Sequence, residues 1–223
     1  MSRIALNRRS RGALRLLSNR HAMHAAVMSS FPPDTPTETA SGRVLWRVDR
    51  TGEETSLLVV SPNKPCLAHI NEQAGWSTGS PWATRDYGPF LAGLRAGEQY
   101  VFRLTANPTH RATVVVDGQQ LKRIVGHVTD SHQRQWFVGR SETHGFTLAS
   151  SSTDAESAHP ELILRERETA VFNRNGKRVT LVTAAFEGRL IVTDEAQLRH
   201  SLTHGIGRAK GYGCGLMTLL PAT

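Results

Sequence analysis

The chain is poor in cysteine and has no long apolar run. Its 223 residues include only two cysteines, Cys66 and Cys214, which lie far apart and in different sequence contexts. They form neither a CxxC metal-binding motif nor a disulfide framework, so we expect a protein of a reduced, cytosolic compartment. No stretch reaches about eighteen consecutive apolar residues, the length that a transmembrane helix needs. The sequence therefore predicts no membrane-spanning helix.

Acidic residues are scarce relative to basic ones. The chain has 19 Asp and Glu against 27 Lys and Arg, a formal net charge of +8, and its first twenty residues contain six arginines and no acid. This balance makes a polyanion the expected partner. A hydrophobic content of 39% is ordinary for a globular protein, and 223 residues suffice for one large domain or two of about a hundred residues each.

The most unusual stretch is GIGRAKGYGCGLMTLL at residues 205–220, which we call the glycine segment. Glycines permit backbone conformations in which successive N–H groups converge on a phosphate, and Arg208 and Lys210 add positive charge. Standard nucleotide motifs are missing, because Lys210 is followed by Gly211 and not by Ser or Thr, and no strand precedes the glycines. The alternative is a helix that ends at Gly205, followed by a tightly packed strand.

Two histidines lie on a predicted helix near the other end of the chain. Asn19 can cap a helix that runs to about Ser30 and ends before two prolines. Met23 and Val27 are expected to face the core, whereas His21 and His24 share a different face. The pair is suited to proton transfer; zinc binding and ordinary surface exposure are the alternatives.

A basic hairpin is predicted in the C-terminal half. Two long strand candidates, residues 162–172 and 178–192, flank an Asn-Gly turn that is typical of β-hairpins. The turn lies among Arg174, Lys177 and Arg178, which could contact RNA phosphates. The alternative is a charged edge that prevents aggregation.

The remaining pattern predicts an α+β fold with two similar halves. We expect strands near residues 1–7, 43–49, 56–60 and 99–106, a polar loop from 107 to 128, a helix within 129–146 closed by Gly145, and a helix capped by Asp194.

Three stretches together resemble the CRISPR-associated endoribonucleases of type I-E systems, the CasE family of RNA processors. They are NRHAMHAAVMSSFP at 19–32, FRLTANPTH at 102–110 and GIGRAKGYGCGLMTL at 205–219, in matching order and spacing over nearly the whole chain. The resemblance implies two ferredoxin-like (βαββαβ) domains in tandem, similar to RNA-recognition motifs. Residues 87–97 have the pattern of the end of one unit and the beginning of another, so we expect the two domains at 1–94 and 98–223.

The resemblance also implies cleavage of CRISPR precursor RNA at the 3′ base of each repeat stem-loop. The RNA's own 2′-hydroxyl would attack, leaving a 2′,3′-cyclic phosphate and a 5′-hydroxyl, with no metal or cofactor. His24 occupies the place of the catalytic histidine, and His21 stands where some relatives have tyrosine. The expected RNA contacts are Arg20, Arg174, Lys177, Arg178, Gly205, Gly207, Arg208 and Lys210.

The implied partners are precursor RNA, mature guide RNA and the other subunits of the type I-E surveillance complex. An RNA-binding subunit without turnover is the alternative function. A basic metabolic enzyme that uses the glycines to bind a nucleotide lacks the required order of motifs.

Overall fold

A computed structural model describes residues 1–77, 81–116, 119–150, 159–174 and 176–222. Residues 116, 173, 174, 177 and 178 are described by their backbone alone. No helix in these ranges is long and apolar enough to cross a membrane.

The first half of the chain builds a four-stranded antiparallel sheet covered by helices. Its elements, in order, are β1 (Ser2–Ala5), α1 (Arg11–Ser18), α2 (Arg20–Met28), β2 (Glu38–Thr39), β3 (Gly42–Arg43), β4 (Leu45–Thr51), β5 (Glu54–Val60), α3 (Ala68–Ala74) and β6 (Ala83–Thr84). The sheet order is β4-β5-β1-β6, and β2 and β3 form a separate small hairpin.

Helix α2 is held on this sheet by its cap and its apolar face. The Asn19 side chain accepts hydrogen bonds from the amides of His21 and Ala22, which satisfies two N–H groups of the first turn. Met23 and Val27 are fully buried with strand residues of β1 and β5. The predicted helix start and core face are therefore confirmed.

The second half builds a five-stranded antiparallel sheet. Helix α4 (Gly88–Gly93) leads into β7 (Gln99–Ala106), β8 (Thr109–Val116), β9 (Gln119–Gly126), α5 (Asp130–Val138), β10 (Phe146–Leu148), β11 (Leu162–Arg174), β12 (Lys177–Val192), α6 (Glu195–His204) and β13 (Met217–Pro221). The order is β10-β12-β7-β13, with β11 also paired to β12, and β8 and β9 pair with each other. Stacked rings of Phe102, Phe137 and Phe186 fill the core between sheet and helices.

Both sheets have the strand order of a ferredoxin-like fold, in which the first and third strands are central. In the first sheet, β1 is the first strand in chain order and β5 the third, and both are central. In the second sheet, apart from the additional strand β11, β7 is the first strand and β12 the third, and both are again central. The predicted fold of two ferredoxin-like domains in tandem is confirmed. The domain limits at 94 and 98 stay a prediction.

Two local predictions were wrong. The expected polar loop after Ala106 contains the β8–β9 hairpin, whose polar and apolar side chains are largely exposed, so it lacks the buried face that marks most strands. Helix α5 ends at Gly139, and Gly145 instead ends a 3₁₀ turn, Glu142–His144, before β10. The short helices α1 and α3 were not predicted.

Arg47 joins the two sheets. The residue is 1% exposed. Its guanidinium donates to the carbonyls of Arg103 (2.6 Å) and Leu216 (2.9 Å) and to Thr218 Oγ1 (2.8 Å), while Asp49 accepts two further bonds. The charge is thus paired and the backbone carbonyls at the junction are satisfied. This clamp sets how β4 of the first sheet lies against β7 and β13 of the second.

Candidate active site

The glycine segment comes to lie against the histidine-bearing helix α2. It contains a 3₁₀ turn, Lys210–Tyr212, between α6 and β13. A Cβ atom placed on Gly211 would be 3.5 Å from both Cε1 and Nε2 of His24, so the imidazole ring rests directly on this turn. The structure therefore brings together the two most informative motifs of the sequence.

His24 and His21 are both half-buried on α2. The Nδ1 atom of His24 is buried. The Cε1 and Nε2 atoms are on the side of the ring that faces Gly211. His21 is the second residue of the helix, one turn before His24, and its amide donates to the Asn19 cap at 2.9 Å.

Most glycines of the segment are required by close packing. A Cβ on Gly205 would be 2.8 Å from Leu45, on Gly207 3.0 Å from the Trp136 ring, and on Gly213 2.7 Å from the Trp46 ring. These three glycines have φ near +80°. The alternative of a helix end at Gly205 followed by a closely packed strand is therefore also correct, since Gly205 caps α6 and β13 follows.

The backbone of the same segment presents a row of available amides. Within the described residues, the N–H groups of residues 207–211 donate to no carbonyl or side chain. Ala209 has φ +60° and begins the 3₁₀ turn. Consecutive amides around a left-handed residue form a concavity suited to an anion. The turn therefore offers phosphate donors beside the His24 ring.

Arg20 links α2 to the turn and to the second sheet. Its Nη1 donates to the Tyr212 carbonyl at 3.0 Å, and its Nη2 lies 3.1 Å from Glu168 Oε2 and 3.5 Å from Thr183 Oγ1. The Arg20 side chain is only 23% exposed. These contacts place Arg20 in the framework of the site.

The long β11–β12 hairpin passes beside the turn. The rings of Phe172 and Tyr212 lie 4.8 Å apart between centroids. Arg174 follows Phe172 by two residues, or about 7 Å of extended strand, and pairs through its backbone with Lys177. The backbone of the predicted hairpin thus reaches the site, while the side chains of Arg174, Lys177 and Arg178 lie outside the described residues.

The two cations of the glycine segment have different surroundings. Arg208 is exposed. The Lys210 side chain folds over Gly205 and Gly215, and burial lowers its pKa, with a further decrease from the Arg43 guanidinium. An anion bound near Lys210 would relieve this repulsion between like charges.

Two other chemistries have little support at this place. Burial raises the pKa of the Cys214 thiol to about 11, so the thiol is protonated at neutral pH and is a poor nucleophile. Among the described residues, no group of three or more His, Cys, Asp or Glu side chains is arranged to hold a metal ion. The described residues therefore do not support a cysteine nucleophile or a zinc site at this place.

Sequence reasoning missed the residues that assemble the site. Trp46, Glu168 and Thr183 come from β4, β11 and β12, and each meets the glycine segment or Arg20 only in the folded chain. The one sequence signal for such neighbours was the number of closely spaced glycines. A backbone without side chains leaves room for large side chains from other elements to pack against it. The identity of those neighbours is not encoded locally.

Comparison with known proteins gives consistent matches. The model of the protein family described as CRISPR associated protein matches residues 1–221. The CRISPR-associated endoribonuclease Cse3 of Thermus thermophilus is 28% identical over 224 residues, which cover 99% of each chain. The CRISPR system Cascade subunit CasE of Escherichia coli is 30% identical over 136 residues, covering 57% of this chain and 61% of that relative.

A solved structure agrees as well. Thermus thermophilus Cse3 bound to an RNA representing a pre-cleavage complex superposes with a TM-score of 0.75 at 26% identity, covering 99% of this chain and 98% of that chain. The matched region includes both sheets, α2 and the glycine segment.

Proposed function

This chain belongs to the family of CRISPR-associated proteins, and on that basis we propose that it is an endoribonuclease that cuts CRISPR precursor RNA at repeat stem-loops. It retains the mature guide RNA and joins the type I-E surveillance complex in the cytoplasm. Its full-length similarity to a protein named as an endoribonuclease, and its partial similarity to a named Cascade subunit, support both parts of the proposal.

The contact between His24 and Gly211 carries the proposal. It places an imidazole, a group that gains and loses protons near neutral pH, beside five amides that donate to no other group of the described residues. Preorganised amides stabilise the extra negative charge that develops on phosphorus during attack. Proton transfer and charge stabilisation are the two needs of RNA cleavage.

The RNA supplies its own nucleophile in this reaction. His24 removes the proton of the 2′-hydroxyl, and the 2′-oxygen forms a bond to the adjacent phosphorus. The bond from phosphorus to the 5′-oxygen breaks, and His21 protonates that leaving oxygen. The products are a 2′,3′-cyclic phosphate and a 5′-hydroxyl, and the reaction requires neither a metal-bound water nor a covalent protein intermediate.

We assign the base to His24 because its ring lies against the amides that would hold the scissile phosphate. His21 is one helical turn away, which suits it to the leaving-group side. The basic hairpin with Arg174, Lys177 and Arg178 would grip the phosphates of the stem, since A-form RNA is recognised mainly by shape, phosphates and 2′-hydroxyls.

The first test is cleavage of the cognate repeat RNA in EDTA by the wild type and by His24→Ala. An RNA with 2′-deoxyribose just upstream of the cut serves as the substrate control. We expect the wild type to cleave the unmodified RNA and not the 2′-deoxy RNA. In His24→Ala the cleavage rate should fall at least a hundredfold, while the Kd for RNA stays within about threefold of the wild-type value.

The outcomes separate the alternatives. Binding without cleavage by the wild type would indicate a non-catalytic RNA-binding subunit. Cleavage that requires added divalent metal would contradict the metal-independent reaction. A repeat RNA with sulfur in place of the 5′-bridging oxygen tests the roles, because a thiolate leaves without an acid and should rescue His21→Ala but not His24→Ala.

A further inference from the structure

Arg20 and His24 hold neighbouring residues of the same 3₁₀ turn. They are four positions apart on α2 and therefore on one helix face. The His24 ring rests on Gly211, and the Arg20 guanidinium donates to the carbonyl of Tyr212 at 3.0 Å. Any shift of the turn relative to α2 would change both contacts at once.

The Arg20 side chain is already engaged within the protein. Glu168 compensates its charge at 3.1 Å, and three of the five guanidinium N–H groups have acceptors on the turn, β11 and β12. The side chain is also largely buried. A guanidinium that serves as a phosphate ligand must be accessible to RNA, and Arg208 is the exposed arginine of the glycine segment.

We propose that Arg20 is a positioning residue for RNA cleavage, which fixes the phosphate-binding turn against His24, and that it does not itself hold RNA phosphate. The inference rests on the proposed function of this site. Lysine cannot replace Arg20, because one ammonium group cannot span the Tyr212 carbonyl and the Glu168 carboxylate with the same planar geometry.

The two roles predict opposite kinetic signatures. Loss of a phosphate ligand weakens RNA binding and lowers the slope of log Kd against log salt by about 0.7 to 0.9. Loss of a positioning contact leaves the turn's amides and the outer cations in place, so binding is kept while the chemical step slows. Misplacement by about 1 Å can cost a hundredfold in rate.

The test measures Arg20→Lys and Glu168→Gln against the wild type. Cleavage is followed in single turnover with enzyme in excess, and Kd is measured from 50 to 400 mM salt with the 2′-deoxy RNA. We expect the rate at saturation to fall at least tenfold in Arg20→Lys and several-fold in Glu168→Gln, with Kd within about threefold and an unchanged salt slope. Thermal unfolding of each variant without RNA identifies loss of the fold.

If Arg20→Lys is poorly folded, the variant Arg20→Ala tests the same inference. In Arg20→Ala, ethylguanidinium added to the assay should restore part of the cleavage rate without changing Kd. Wild-type rates in Arg20→Lys, or a weaker Kd with a reduced salt slope, would overturn the inference and leave the proposed function standing. Absence of cleavage by the wild type would overturn both.

Discussion

Gly211 and Gly213 lie two residues apart, yet alanine should destabilise the protein at Gly213 and have little effect at Gly211. Gly213 has φ +79°, and a Cβ there would be 2.7 Å from the Trp46 ring. Gly211 does not have a positive φ, and a Cβ there would meet the His24 ring at 3.5 Å, an ordinary van der Waals distance. We therefore expect Gly213 to be required for folding, and Gly211 to affect mainly the position of the His24 ring.

The cost at Gly213 follows from two terms. A left-handed conformation costs an alanine about 1 to 2 kcal/mol. Forcing a methyl group against a buried tryptophan adds about 1 to 3 kcal/mol. The sum is at least about 2 kcal/mol, and a protein of this size loses about 2 to 4 °C in Tm for each kcal/mol. We expect Gly213→Ala to lower Tm by at least about 4 °C.

At Gly211 we expect Ala and Val to differ. Gly211→Ala should unfold within about 2 °C of the wild type and cleave within about fivefold, because the methyl group only touches the ring. In Gly211→Val a further carbon extends about 1.5 Å beyond Cβ, into the space of the His24 imidazole. The ring must then move, so cleavage at saturating enzyme should fall at least tenfold while Tm changes little.

Differential scanning calorimetry and single-turnover cleavage of the repeat RNA measure these effects. Kd for the 2′-deoxy RNA serves as a control for binding. A Gly213→Ala variant as stable as the wild type would mean that the close approach of this residue to Trp46 is absent. Wild-type cleavage by Gly211→Val would show that the reacting histidine does not rest on this turn.

Three further outcomes are expected. Arg47→Met should lower the free energy of unfolding of the free protein by about 3 to 5 kcal/mol, because Asp49 and two carbonyls lose a buried partner. Equal denaturation midpoints for Arg47→Met and the wild type would argue against the clamp. Burial lowers the pKa of His144, so the unfolded state binds more protons, and stability should fall as pH decreases from about 6.5 toward the folded-state pKa. His144→Gln should show a smaller decrease in Tm between pH 7.5 and 5.5, and an identical decrease would contradict this origin. Lys177→Ala should weaken RNA binding and reduce its salt slope by about 0.7 to 0.9 without slowing cleavage at saturation, whereas an unchanged slope would exclude phosphate contact by this side chain.

Local signals were sufficient for some elements. The Asn19 cap and the spacing of Met23 and Val27 predicted α2, and the Asn-Gly turn between apolar runs predicted the β11–β12 hairpin. Capping and hydrophobic periodicity act over one or two turns of chain, so they are visible in the sequence.

Elements without a buried face were not predicted. The β8–β9 hairpin leaves Val115 69% exposed and pairs with no other strand of the described residues. Its stability depends on pairing between its own strands and not on a core-facing pattern, so the sequence indicated a polar loop. Helix α3 was missed because seven residues are too few to establish a helical period.

The sequence by itself determined the chemistry of the site: a histidine pair on a capped helix, a glycine-rich basic segment and an excess of positive charge suited to RNA. Only the tertiary structure decided which groups meet. Arg20 and Tyr212 are separated by 192 residues and are joined by a hydrogen bond that depends on how the two sheets pack. Contacts of this kind arise from burial and loop closure across the whole chain, which leave no local pattern at either residue. The placement of His24 on Gly211, and the different surroundings of Arg20 and Arg208, are therefore properties of the fold.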